Sequence, residues 1–201
     1  MLKLKKRGRL IVISSPSGAG KSSLARKLTY KNPLVSLSVS LTTRKPRINE
    51  FNGIHYDFVS RDSFKIKIKK NLFLEHAKVF GNYYGTLKSK ILKQIRKGND
   101  ILLDIDWQGA RQVKKKLPKD TLTIFILPPS LMELKKRLKK RGESNYFVKK
   151  RMSKAKAEIK HWVEYDYVLV NDKFSECLNN IKSILSLEKF KPSRNYISSN
   201  Q

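Results

Sequence analysis

Short apolar runs punctuate this chain: Leu10-Ile11-Val12-Ile13, Ile101-Leu102-Leu103, Leu122-Thr123-Ile124-Phe125-Ile126-Leu127 and Tyr167-Val168-Leu169-Val170. Each is nearly continuous, which predicts buried strands over residues 9–14, 101–106, 122–127 and 167–171. Between them, apolar residues recur at helical spacing. Helices are expected from residue 24 to about 30, over 86–97 with Gly98 as the stop, over 108–116 and 130–141, and over 174–188. A short polar segment, 142–148, precedes a further helix that runs to about residue 162. Residues 34–40 alternate apolar and hydroxyl side chains, as a half-buried strand does. From 42 to 85 the chain holds turn residues, aromatics and short alternating segments such as 54–59 and 73–77. That stretch predicts a small mixed sheet inserted into the larger domain. The tail from Pro192 is polar and expected to be loose. Strands alternating with helices give an α/β fold, with a parallel sheet covered on both faces.

Composition narrows this picture. With 201 residues, 39% hydrophobic and 30% charged, the chain suits one α/β domain with an inserted lobe or two. No apolar run is long enough to span a membrane. The start, Met1 to Arg7, is basic like a secretory leader, but cleavage after it would destroy the loop that follows the first strand. A cytoplasmic protein without a membrane partner is therefore expected. Cys177 is the only cysteine, which excludes an internal disulfide and a cysteine-based metal cluster. The formal net charge of +29 has two explanations, polyanion binding or general lysine usage. The excess is mostly lysine and scattered, whereas a nucleic-acid face combines arginine with interleaved aromatics. Most of these lysines read as solvated helix faces. No specific nucleic-acid partner is expected, only nonspecific adhesion at low salt.

The candidate chemistry begins after the first strand, at Ser14-Ser15-Pro16-Ser17-Gly18-Ala19-Gly20-Lys21-Ser22-Ser23. Strand, Gly-rich loop and helix in that order form a phosphate-binding loop, whose backbone N–H groups and helix dipole face an anion. Gly18 and Gly20 permit torsions and a close approach that a Cβ would block. Lys21 would reach the outer phosphates, and the Ser22 hydroxyl would ligate Mg²⁺. The usual pattern begins with Gly where this chain has Ser15. The plain alternative is a Gly/Ser turn that ends in Lys. The motif by itself names no phosphate acceptor.

Further along, Arg44 and Arg47 flank Pro46. Planar guanidinium forks bind phosphate bidentately. Tyr56 and Tyr84 have hydroxyls that could complete a phosphate cage, and from spacing alone they serve equally well as core aromatics. Arg137 and Arg141 lie four apart on one helix face in a lysine-rich stretch, where ordinary surface charge is the simpler reading.

Several segments, taken in order, resemble guanylate kinases: Ser38-Val39-Ser40-Leu41-Thr42-Thr43-Arg44-Lys45-Pro46-Arg47, Asn52-Gly53 with Tyr56 and Phe58-Val59, Phe73-Leu74-Glu75, Gly81-Asn82-Tyr83-Tyr84-Gly85-Thr86, and Leu103-Asp104-Ile105-Asp106-Trp107-Gln108-Gly109. The phosphate loop precedes them in the family's order. Arg151-Met152, Ala155, Glu158 and 165–172 continue the match, which covers roughly residues 8–188. The segment 141–148 is one residue shorter than the family pattern and poorer in acid.

The resemblance implies a P-loop kinase core (8–36, 98–135 and 160–190), a mixed-sheet GMP-binding lobe (about 37–97) and a helical lid (about 136–158) within a single domain. It implies that Ser40, Arg44, Arg47, Tyr56, Glu75, Tyr84 and Thr86 hold GMP, with Glu75 on the base. Guanine presents two adjacent donors, N1–H and the 2-amino group, that one carboxylate accepts together. Asp104 is implied on the Mg²⁺ and acceptor side, and Asp106 either on the base or as a helix cap. ATP is implied on Ser15, Pro16, Ser17, Gly18, Ala19, Gly20, Lys21, Ser22, Ser23 and Asn171. Lys21, Arg44, Arg137, Arg141 and Arg151 are implied in catalysis, and Ser22 and Asp104 as metal ligands. The implied reaction moves the γ-phosphoryl group of ATP onto GMP, and onto dGMP, in purine nucleotide metabolism. Small-molecule substrates and a monomer or homodimer are expected. Competing readings are a guanylate-kinase-like scaffold module, a kinase for another monophosphate, and a polyanion binder.

Overall fold

The computed structural model describes residues 3–30, 32, 35–140, 142, 144–192 and 195–198. Its strands are β1 (Lys3–Lys6), β2 (Leu10–Ser14), β3 (Val35–Leu37), β4 (Leu41–Thr42), β5 (Asp57–Phe58), β6 (Phe73–Val79), β7 (Asn82–Leu87), β8 (Asp100–Asp104), β9 (Thr121–Leu127), β10 (Tyr167–Val170) and β11 (Asn195–Ser198). Its helices are α1 (Lys21–Thr29), α2 (Arg61–Lys69), α3 (Lys88–Arg96), α4 (Trp107–Lys116), α5 (Leu131–Lys140), α6 (Asn145–Ile159) and α7 (Phe174–Glu188). A 3-10 turn, Lys160–Glu164, follows α6.

The main sheet is parallel throughout, in the order β10-β9-β2-β8-β3. Its central strand β2 is buried at every position. The pleat sorts its side chains to two faces. Ile11 and Ile13 pack with Leu24 and Leu28 of α1 and with Ile181 of α7. Leu10 and Val12 pack with Ile91 and Ile95 of α3 and with Val113 of α4. This double covering matches the expected α/β architecture and explains why the strands carry almost no polar residues.

A second sheet, ordered β5-β4-β7-β6, is mixed, because β4 runs parallel to β5 but antiparallel to β7. Phe64 of α2 closes it, stacked at 4.4 Å on Phe73 and 5.4 Å on Tyr83. This small lobe stands at the C-terminal ends of β2 and β8, where open parallel sheets place their ligands.

Local details correct the sequence reading in several places. The expected strand over 34–40 is shortened to Val35–Leu37, and a separate strand follows at Leu41–Thr42. Val35–Leu37 joins the main sheet and Leu41–Thr42 joins the lobe, so the chain changes sheets between them. The segment after 60 is helical, because Ser60 caps α2 by accepting the Ser63 N–H. Helix α3 starts at Lys88, since Thr86 and Leu87 complete β7. Helix α6 begins at Asn145, inside the segment read as polar coil. The tail is not loose over Asn195–Ser198, which pairs antiparallel with β1 and so gives both backbones partners. Among the described residues no helix is long and apolar enough to cross a membrane.

Candidate active site

The loop between β2 and α1 is bent by two left-handed residues, Gly18 at φ 102° and Gly20 at φ 97°. Gly20 is also required sterically, since a Cβ there would lie 2.4 Å from Asn171 Nδ2. That amide donates to the Ala19 carbonyl at 2.7 Å and holds the loop from the β10 side. Ala19 itself is buried against Leu134, Leu138, Val148 and Ala155, beneath α5 and α6. No side chain caps the N-terminus of α1. Its first N–H groups therefore remain available to an anion.

Lys21 opens α1 and turns toward β8. Its Nζ donates to the Ile105 carbonyl at 3.1 Å and pairs with Asp104 Oδ1 at 2.5 Å. Burial works against the ammonium's charge, but Asp104, aided by Tyr56 and Asp106, outweighs it and raises the Lys21 pKa. The group is a fixed cation at the end of the central strands.

Glu75 of β6 faces the same cleft and is 2% exposed. Thr86 donates its hydroxyl to Glu75 Oε1 at 2.7 Å. With that proton committed, the 3.1 Å contact between Ser40 and Thr86 has Ser40 as donor. Burial drives the Glu75 carboxyl up to about 7, with the Thr86 bond and Lys21 pulling down and Asp106 pushing up. Gly109 of α4 backs the carboxylate so closely that a Cβ would fall 2.6 Å from Oε2. Gly109→Ala therefore displaces Glu75. Alanine favours a helix by about 1 kcal/mol over glycine, so the melting temperature should hold. Binding of the ligand that Glu75 recognises should weaken by about tenfold to a hundredfold, read by calorimetric titration beside a thermal melt.

The arginine pair is organised by an acid that sequence reasoning did not single out. Glu50 accepts from Arg44 Nη1 at 2.8 Å and Nη2 at 3.0 Å, and from the Arg47 N–H at 2.8 Å. Burial opposes the Glu50 charge, yet Arg44 and Arg47 hold its carboxyl below the ordinary range. Arg44 also lies over the Tyr56 ring at 5.4 Å, and Tyr56 meets Tyr84 edge-on at 6.0 Å. The signal for Glu50 is its place three residues after Arg47, the one acid in a basic loop.

Asp106 caps α4, its Oδ1 accepting the Gln108 and Gly109 N–H groups at 3.1 Å each. It still lines the cleft, so the cap does not remove it from the site. Arg151 of α6 donates to Ser17 Oγ. Glu158, on the same helix face, also lines the cleft, and burial raises its pKa. Sequence reading gave Glu158 no role, although its spacing from Arg151 is that of one helix face.

One cleft unites most of these groups. The loop residues Ser15, Pro16, Ser17, Gly18 and Gly20, with Lys21 and Ser22, form one wall. Ser40, Arg47, Tyr56, Glu75 and Tyr84 form the other, with Asp104 and Asp106 between. Arg44 and Thr86 are not on its surface; each braces a residue that is. Ser23, Arg137 and Asn171 line an adjoining hollow behind the loop, where Arg137 donates to the Asn171 carbonyl at 3.1 Å. Arg141 lies outside the described residues.

The profile of the guanylate kinase family matches residues 7–188. The chain belongs to the guanylate kinase family. It is 50% identical over 188 residues to a guanylate kinase of Maricaulis maris, covering 93% of this chain and 86% of the relative. It is 50% identical over 190 residues to that of Escherichia coli, covering 93% and 91%. The crystal structure of guanylate kinase from Anaplasma phagocytophilum superposes with a TM-score of 0.83 at 37% identity, over 96% of this chain and 92% of that one. Membership in the guanylate kinase family makes this chain an enzyme, an ATP:GMP phosphotransferase. The scaffold-module reading lacks support, since the glycine-rich loop and Lys21 line one cleft with Arg47, Tyr56, Glu75 and Tyr84.

Proposed function

We propose that the chain transfers the γ-phosphoryl group of ATP to GMP or dGMP in a Mg²⁺-dependent, in-line reaction, serving purine nucleotide metabolism and GMP recycling in the cytoplasm. One observation carries the assignment to guanine. A buried carboxylate, Glu75, stands in the cleft opposite the phosphate loop, with its hydroxyl partners already behind it. Adenine has an acceptor where guanine has N1–H, so it would leave that carboxylate unpaired and repelled. Ribose and deoxyribose are both accommodated in this reading, because the assigned contacts are to base and phosphate.

In this reading Arg47, Tyr56 and Tyr84 take the GMP phosphate, with Arg44 beside them once Glu50 yields its fork. The loop and Lys21 take the β- and γ-phosphates of ATP. Asn171 and Arg137 stand on the donor-nucleotide side, and Arg151 reaches the phosphates from α6. We assign the lobe to 37–97 and the lid to 136–158. No side chain is needed as a general base. A phosphate monoester has its second pKa near about 6 and is a dianion at neutral pH. The chain's task is to bring two anions into line and to neutralise charge as it spreads in the transition state.

The residues fit Mg²⁺. Ser22 and Asp104 offer hard oxygen donors on one cleft, and this ion characteristically takes one or two protein ligands beside phosphate oxygens and water. Among the described residues no group of three or more acidic, His or Cys side chains is placed to hold a metal alone. Bound there, Mg²⁺ would neutralise charge on the donor phosphates. The test is ADP and GDP formation from ATP and GMP, with and without Mg²⁺. Both products should appear only when all three components are present, and GMP-independent ADP release alone would contradict the proposal.

A further inference from the structure

The hairpin joining β6 to β7 turns through Phe80 and Gly81, at φ 48° and 81°. The paired residues Val79 and Asn82 flank them. Two-residue turns with positive φ at both positions favour Asn, Asp or Gly first, because a bulky side chain crowds the backbone there. Phenylalanine is a poor choice for the turn itself. Strain of this kind collects where a side chain has another task.

The ring's surroundings show such a task. Lys154 Nζ lies 4.5 Å from its centroid and the Arg151 guanidinium carbon 5.1 Å. Both cations come from α6, on the other side of the cleft that Phe80 helps to line. Arg151 at the same time donates to Ser17 Oγ of the phosphate loop. Lys154 pairs at 3.4 Å with Glu158, which also lines that cleft. The hairpin tip thus meets α6 at one aromatic ring, and Arg151 carries the contact on to the phosphate loop. An aromatic face attracts cations through its quadrupole, an attraction an aliphatic side chain lacks.

We propose that Phe80 is a positioning residue: an aromatic seat on the acceptor lobe that sets Arg151 in place for phosphoryl transfer and ties the lobe to the lid. This rests on the functional reading above, in which Arg151 works on the phosphates. Phe80 is not among the residues assigned to GMP, and it acts through Arg151. The strained turn is the cost of putting a ring where the turn alone would favour asparagine.

The test uses the full chain with Phe80 changed to Asn, Leu or Tyr. Asn suits the turn and lacks the ring, Leu keeps apolar bulk without a quadrupole, and Tyr keeps the face. We expect kcat to fall about tenfold in the Asn and Leu variants and to stay within about twofold of wild type in the Tyr variant. GMP affinity measured without ATP should change by less than about twofold, and the Asn variant should melt no lower than wild type. Wild-type kcat in the Asn or Leu variant would overturn the proposal. So would an Asn variant that melts lower and loses GMP affinity in step with kcat, because Phe80 would then be holding the lobe's structure. A wild-type enzyme inert toward GMP would overturn the functional reading and this proposal together, whereas an active wild type matched by Phe80→Asn overturns this proposal alone.

Discussion

Lys21→Ala lowers kcat by about a hundredfold to a thousandfold, the loss typical of removing one preorganised group that meets developing charge. GMP affinity stays nearly intact. The split follows from placement. Lys21 opens α1 and pairs with Asp104 at 2.5 Å, on the glycine-rich-loop side of the cleft. Of the residues assigned to GMP, Glu75 sits on β6, Thr86 on β7 and Ser40 before β4, with Thr86 hydrogen-bonded to both of the others. Losing the ammonium also leaves Asp104 without its ion pair near the site where a second anion must arrive. Steady-state kinetics with a separate GMP titration checks this, and equal losses in kcat and GMP affinity would show that Lys21 supports the whole cleft.

Glu75→Gln is the second large effect. The amide offers one acceptor and places an NH₂ against a guanine donor. Two charge-assisted hydrogen bonds are lost or reversed, each worth roughly 1.5–3 kcal/mol. Specific activity toward GMP, as kcat/KM, should fall by about a hundredfold or more, and the preference over AMP should shrink. The same carboxyl predicts a pH signature. In the free site it titrates at about 7, chiefly through burial. Two guanine donors favour its ionised form, so the bound complex holds it deprotonated. Binding then releases a proton below pH 7, and GMP affinity should drop about tenfold for each pH unit below that point and level off above it. The GMP phosphate titrates lower, near about 6. Glu75→Gln should therefore abolish the upper step and keep the lower one. Calorimetry from pH 5.5 to 8.5 separates them; an unchanged profile in the variant would remove Glu75 from base recognition.

What was legible in the sequence is what local chemistry determines. The run Leu10 to Ser14, the two glycines and Lys21 dictate strand, loop and helix through contacts only a few residues apart. Helix α7 has the expected bounds, 174–188, because its apolar spacing is regular and a strand precedes it. Helix α2 was hidden by Phe64-Lys65-Ile66-Lys67-Ile68, which alternates at period two. Only Phe64 is fully buried there, and Ile66 is 52% exposed, so the alternation reports lysine placement rather than a sheet face. Glu50 and Phe80 were harder to read for another reason. Glu50 acts by folding a loop back onto Arg44, and Phe80 acts on cations from α6 that arrive only with the tertiary fold. Asp106 was legible as two alternatives, and it caps α4 while still facing the cleft.

The central claim is that this cleft passes a phosphoryl group from ATP to a guanine monophosphate and discriminates by base. Coupled ADP release with ATP and Mg²⁺, run in parallel with GMP, dGMP, AMP, CMP and UMP, tests it most directly. The account predicts that GMP and dGMP exceed AMP in kcat/KM by at least about a thousandfold, as a site built around buried hydrogen bonds does. No GMP-dependent release, or AMP turned over as well as GMP, would contradict it.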